Sequence, residues 1–295
     1  MRSGFGQWLV AHRAARVGLI AGLLPLPVTS VLSAALVVTV TIAKGWRVAA
    51  TDCLLALVVL GLVTIFVDGA WQQVALSGIS TWAAAMFLGA LTGAFGSLTL
   101  SLQALVMVGV LGLGGFAAIV DDPTAFWESI LASFAEQMSQ LGMPLADPGA
   151  VLELAPFMSG LVASSIVMSS TLALLLGTWW AGGARGTGFR ALFVEIRLGY
   201  VVGGVAALAG LAALFGMGQV AGNVLLVLGI GFVFQGLAVV HWLVAARGLP
   251  WVFFIPVYLP LFLGASLLVL TLFVLATIGF IDNWYGLRKV ARGER

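Results

Sequence analysis

Charge is what this chain has least of. Only 8% of its 295 residues are Asp, Glu, Lys or Arg, and 62% are hydrophobic. A water-soluble domain carries about 25% charged residues, so that class is excluded, as is a disordered chain. A single cysteine, Cys53, permits no internal disulfide. The two histidines, His12 and His241, are far apart and no Cys or His cluster offers ligands, so no metal and no cofactor is expected. No H-E-x-x-H and no phosphate-binding loop occurs. Met158-Ser159-Gly160 lacks the first glycine of an intramembrane serine nucleophile motif. Gly279-Phe280-Ile281-Asp282 is not the G-x-G-D of an intramembrane aspartyl protease, and no second membrane aspartate is expected. The chain reads as a non-enzyme. A net charge of +2, split among short loops, gives no footprint for nucleic acid.

Long uncharged runs are what the chain has instead, at a mean hydropathy of +1.16. Residues 69–120 and 198–240 each exceed the roughly 20 residues of one bilayer crossing, so the lipid bilayer is the first partner. The runs are continuous and not built from alternating segments of about ten residues, which excludes a barrel. The expected fold is all-α, a polytopic transmembrane bundle forming one integral membrane domain over residues 1–295. The first apolar run, broken by Pro25 and Pro27, is expected to stay on the chain.

Basic residues set the orientation. They fall at 2–16, 44–47, 185–197, 247 and 288–295, whereas 121–153 holds six carboxylates and no Lys or Arg. Cytoplasmic loops are the Lys/Arg-rich ones, so the five basic places go inside, and 121–153 and Asp68 outside. Six full spans follow, at about 50–67, 71–95, 98–120, 154–181, 199–216 and 220–246. Two further bands, 17–43 and 249–281, begin and end beside basic residues, which makes eight hydrophobic bands. Pro25 with Pro27, and Pro256 with Pro260, break them into short or re-entrant hairpins, or alternatively kink them into single spans. Outside, Asp122-Pro123 starts an amphipathic helix at about 123–141, ended by Gly142 and Pro144, with Trp127, Ile130, Leu131, Phe134, Met138 and Leu141 on its apolar side. Residues 283–295 form a basic cytoplasmic tail.

Strongly polar groups inside a membrane are costly and are therefore the first functional candidates. Here they are Gln103, Asn223, Gln235 and His241, the candidates for lining a solute path, with a structural alternative for each: a bond to a neighbouring helix or, for His241, an interfacial anchor. Gly89 with Gly93, Gly199 with Gly203, and Gly222, Gly229 and Gly236 read as points of close helix packing. Ser164, Ser165, Ser169, Ser170 and Thr171 read the same way.

Three stretches, Phe193-Val-Glu195-Ile-Arg197-Leu-Gly199, Asn223 with Phe234-Gln235-Gly236 through His241, and Gly279-Phe-Ile-Asp282-Asn-Trp284 with Arg288, resemble the YybS-like family of bacterial membrane proteins. The likeness is concentrated in the last hundred or so residues. It implies a bacterial inner-membrane location and a helical architecture similar to the substrate-binding subunits of energy-coupling-factor vitamin transporters, hence small-molecule binding or transport. The extra length, the broken terminal bands and the missing Ala-x-x-x-Ala in the first segment depart from that pattern. A scaffold that organises other membrane proteins is the alternative. At the inner interface Asp282 is expected to pair with Arg288 or Arg197, with Glu195 nearby and Trp284 and Tyr285 at headgroup depth.

Overall fold

Backbone groups without water must find partners within the chain, and helices provide them. The computed structural model describes residues 4–67, 71–185 and 188–290, and among the described residues there is no strand. Asp68, Arg2, Arg292 and Arg295 lie outside the described residues. The helices are α1 (Phe5–Ala11), α2 (Arg13–Leu23), α3 (Pro27–Lys44), α4 (Trp46–Val67), α5 (Trp71–Phe95), α6 (Leu98–Ile119), α7 (Pro123–Gln140), α8 (Pro148–Leu152), α9 (Met158–Arg185), α10 (Phe189–Val194), α11 (Gly199–Leu214), α12 (Gly218–Ala246), α13 (Ile255–Tyr258), α14 (Ala265–Tyr285) and α15 (Leu287–Val290). Among the described residues six helices, α4, α5, α6, α9, α12 and α14, are long and apolar enough to cross a bilayer. The chain is an all-α, multi-pass membrane protein.

Two segments differ from the sequence-based expectation. Hydropathy places a full span at 199–216, but α11 has only 16 residues. Hydropathy marks how much of a run is apolar, not where a helix starts, and Gly199 (φ 75°) and Gly216 (φ 89°) break the run on both sides. The band 249–281 fits the single-span alternative and not the re-entrant hairpin. Its prolines are confined to short turns between Trp251 and Phe262, and after Gly264 (φ 135°) the 21 residues of α14 contain no proline and run unbroken. The first band does fold back on itself, with the Ser33 hydroxyl donating to the Ile20 carbonyl at 2.7 Å. Its first helix starts at Arg13, however, so Arg13 and Arg16 belong to α2 and not to a flanking loop.

By packing, the single chain divides into two compact units, Met1–Leu105 with Met168–Ile196, and Val106–Val167 with Arg197–Arg295. In the first, α3 is the centre: residues 33–42 are buried without interruption, as befits a helix surrounded on all sides. Trp82 of α5 donates its indole N–H to Ser33 at 3.0 Å. Gly89 lets α5 approach so closely that an added methyl would meet Thr41 and the Val38 carbonyl. In the second, α12 and α14 run antiparallel, with Gly236 against Leu275 and Gly279 against the Phe232 carbonyl. Neither glycine leaves room for a side chain. The helix expected at 123–141 is α7, capped by Asp122, whose carboxylate accepts from the N–H groups of Thr124 and Ala125.

Candidate functional site

α11 begins, and α14 ends, against the flank of α12 and not at its end. α12 continues for about 16 Å past Gln235 to Ala246, at ~1.5 Å per residue. Two interrupted helices at that level expose N–H and C=O groups, and each must be satisfied by protein. The side chains of Gln235, Asp282 and Asn283 do this, all three buried with 0% exposure.

Gln235 accepts the Leu198 N–H on Oε1 at 2.9 Å and donates through Nε2 to Asp282 Oδ2 at 2.8 Å. Asn283 clamps Gly199 from both sides, its Oδ1 accepting the Gly199 N–H (2.8 Å) and its Nδ2 donating to the Gly199 carbonyl (2.9 Å). The first amides of α11 are thereby capped from two other helices. Asp282 is no solvated cap. Arg288 holds it, with Nη2 on Oδ2 at 2.7 Å and Nε 3.4 Å from Oδ1. Gly286 turns left-handed (φ 60°) and ends α14 just ahead of α15, which carries Arg288 within reach of Asp282. Arg197, the other partner expected for Asp282, donates instead to the Asn283 carbonyl at 3.0 Å. Glu195 is exposed and, among the described residues, forms no ion pair; its backbone carbonyl accepts from Thr99. Trp284 and Tyr285 are exposed, Trp284 lying near Tyr200.

The other candidates are not gathered here. Asn223, at the start of α12, caps α9 from outside: Oδ1 accepts the Gly160 N–H, and Nδ2 donates to the carbonyls of Pro156 and Gln219. His241 donates from Nδ1 to the Leu237 carbonyl at 2.9 Å, and its Nε2 lies within hydrogen-bond distance of the Tyr258 hydroxyl, at 3.3 Å. Its ring lies over Phe254, centroids 4.5 Å apart. Burial raises the Tyr258 phenol above its usual pKa and keeps it a donor. His241 thus fastens the proline-rich stretch onto α12. Gln103 on α6 is half-buried and also engaged.

One charged cluster escaped the sequence reading. Asp52, a second aspartate inside a membrane helix where none was expected, is 0% exposed in α4 and faces Arg16, itself 1% exposed. Arg16 reaches Oδ2 with Nε (2.7 Å) and Nη2 (2.6 Å), and its Nη1 donates to the carbonyls of Leu9 and Val10, near the end of α1. Arg13 adds a bond to Oδ1 at 2.9 Å from a half-exposed position. The rule that singles out Asp282 applies equally to Asp52, which lies inside the span read at about 50–67, but Asp52 stands five residues after Arg47, whereas Asp282 closes a long run without charge. Among the described residues no group of three or more His, Cys, Asp or Glu is placed to hold a metal ion. Compared with family models, curated proteins and solved structures, the chain matches none.

Proposed function

We propose that this chain is a YybS-like protein of a bacterial inner membrane that acts as a non-enzymatic partner or scaffold for other membrane proteins. The observation that carries the reading is the engagement of its intramembrane polar side chains by its own helices. Gln235, Asn223, Asp282 and Asn283 spend their donors and acceptors on the ends of α9 and α11 and on Arg288. A solute path would need such groups turned towards a cavity. Glycines on α6 (Gly112, Gly114, Gly115) and α11 (Gly204, Gly210) meet nothing within 4 Å and leave room for the backbone of another protein's helix. Family membership is supported by convergence: Arg197, Gly199, Gln235, Gly236, Gly279, Asp282 and Arg288, which carry the resemblance from distant parts of the chain, all lie at or beside one network.

A carrier is the second reading, favoured by the start of α11 and the end of α14 part-way along α12. Solute sites of transporters are built at such interrupted helices. Native mass spectrometry of the protein extracted in mild detergent separates the two. Stable protein partners without a retained small molecule are expected. A metabolite bound at one per chain, or co-purification of an ATPase with its coupling subunit, would overturn the scaffold in favour of the carrier.

A further inference from the structure

Helix α7 carries a second apolar arc besides the one that faces the protein. At about 100° per residue its side chains divide into three arcs. Trp127, Leu131, Ala135 and Met138 face the protein, and Trp127 donates its indole N–H to Ser159 at 2.8 Å. Glu128, Ser129, Ser133, Glu136 and Gln140 occupy the polar arc, all exposed. Between the two lies a third arc, Phe126, Ile130 and Phe134, continued by Leu141 just past the helix end. The first three are 40–47% exposed, and Gln137 is the one polar side chain among them. A packed surface helix needs only the first arc to be apolar. In the third, Phe126 meets the rings of Phe116 and Trp127, while Ile130 and Phe134 stand open to the surroundings.

We infer that this third arc is seated in the bilayer boundary and that α7 lies along the membrane surface, anchored in electrically neutral lipid. Three observations favour lipid over another protein. Phe126 stands edge-on to Phe116 of the membrane helix α6, centroids 5.4 Å apart, so the arc begins on a helix already immersed in lipid. α6 before it, and α9 after the short α8, are each long enough to cross the bilayer, so the connection that contains α7 lies at the boundary. Residues 121–153 contain six carboxylates and no Lys or Arg, so an anionic lipid surface or an acidic partner would repel the segment, and a neutral headgroup layer would not.

The test is nitroxide labelling of single cysteines in the full-length protein, reconstituted in phosphatidylcholine vesicles, with Cys53 left in place because it is buried. Labels at Ile130→Cys and Phe134→Cys are expected to relax several-fold more with oxygen, which concentrates in lipid, than with a water-soluble nickel chelate. Labels at Glu128→Cys and Glu136→Cys are expected to show the reverse, and adding phosphatidylglycerol should draw the helix no deeper. Relaxation of the Ile130 and Phe134 labels by the chelate, as at Glu136, would overturn the inference with a helix free in water. Shielding from both agents, with dipolar broadening between labels, would overturn it with a second copy of the chain covering the arc.

Discussion

Asp282 and Asp52 show what a single carboxylate costs in an apolar helix and how it is made tolerable. Each is fully buried, and each is held by an arginine brought in from a short helix next to it in space. Removing one member of a buried pair strands the other charge, at a cost of about 3–5 kcal/mol. Asp282→Asn and Arg288→Ala should therefore each lower the melting temperature in mild detergent markedly, whereas the joint change Asp282→Leu with Arg288→Met should recover most of the loss. A double variant no more stable than the singles would show that the charges themselves are needed. The two arginines of Asp52 are not equivalent. Arg13 has a side chain 57% exposed, and its bond is worth at most about 1 kcal/mol after solvent screening. Arg16→Ala should destabilise far more than Arg13→Ala in the same melting assay, and equal losses would contradict this ranking. Asp282 could be singled out from sequence because no other charge lies between residues 248 and 281; Asp52 was not, because it sits at the start of its span with Arg47 close by, and its real partner Arg16 is 36 residues away.

At the scale of elements the glycines distinguish themselves only once the helices are placed. Gly222, Gly229 and Gly236 recur every seven residues on α12 and look alike in sequence. A methyl on Gly236 would collide with the Leu275 backbone, one on Gly222 would press on the Phe157 ring, and one on Gly229 would meet nothing. Gly236→Ala and Gly279→Ala should force α12 and α14 apart at a cost of roughly 1–3 kcal/mol, read as a fall in thermal midpoint. Gly229→Ala should be neutral or stabilising by up to about 1 kcal/mol, since alanine is the better helix former. Destabilisation at Gly229 equal to that at Gly236 would mean that an unseen partner packs there. The helix starts tell the same story. α7 could be read from Asp122-Pro123 because its cap is local. α11 could not, because its first N–H groups are capped by Gln235 and Asn283, 37 and 84 residues further along the chain.

For the whole molecule, the distribution of basic residues makes a prediction about sidedness. Single cysteines at Arg47 and Arg190, both exposed, should react with an impermeant thiol reagent only after the membrane is opened, and one at Glu136 should react in intact cells. Labelling of all three from the same side would refute the assignment. Composition alone determined that the chain lives in lipid and is all-α, since no other backbone arrangement satisfies continuous apolar runs. Local residue order determined the amphipathic helix and the breaks at the prolines, because those signals lie within a few neighbouring residues. Only the tertiary structure decided that α14 is one unbroken helix of spanning length and α11 a shorter one, that Arg288 and not Arg197 neutralises Asp282, and that Gln235 and Asn223 serve as caps. Those outcomes depend on which distant groups meet, and in a chain this apolar the few polar side chains go wherever a helix end is left unsatisfied.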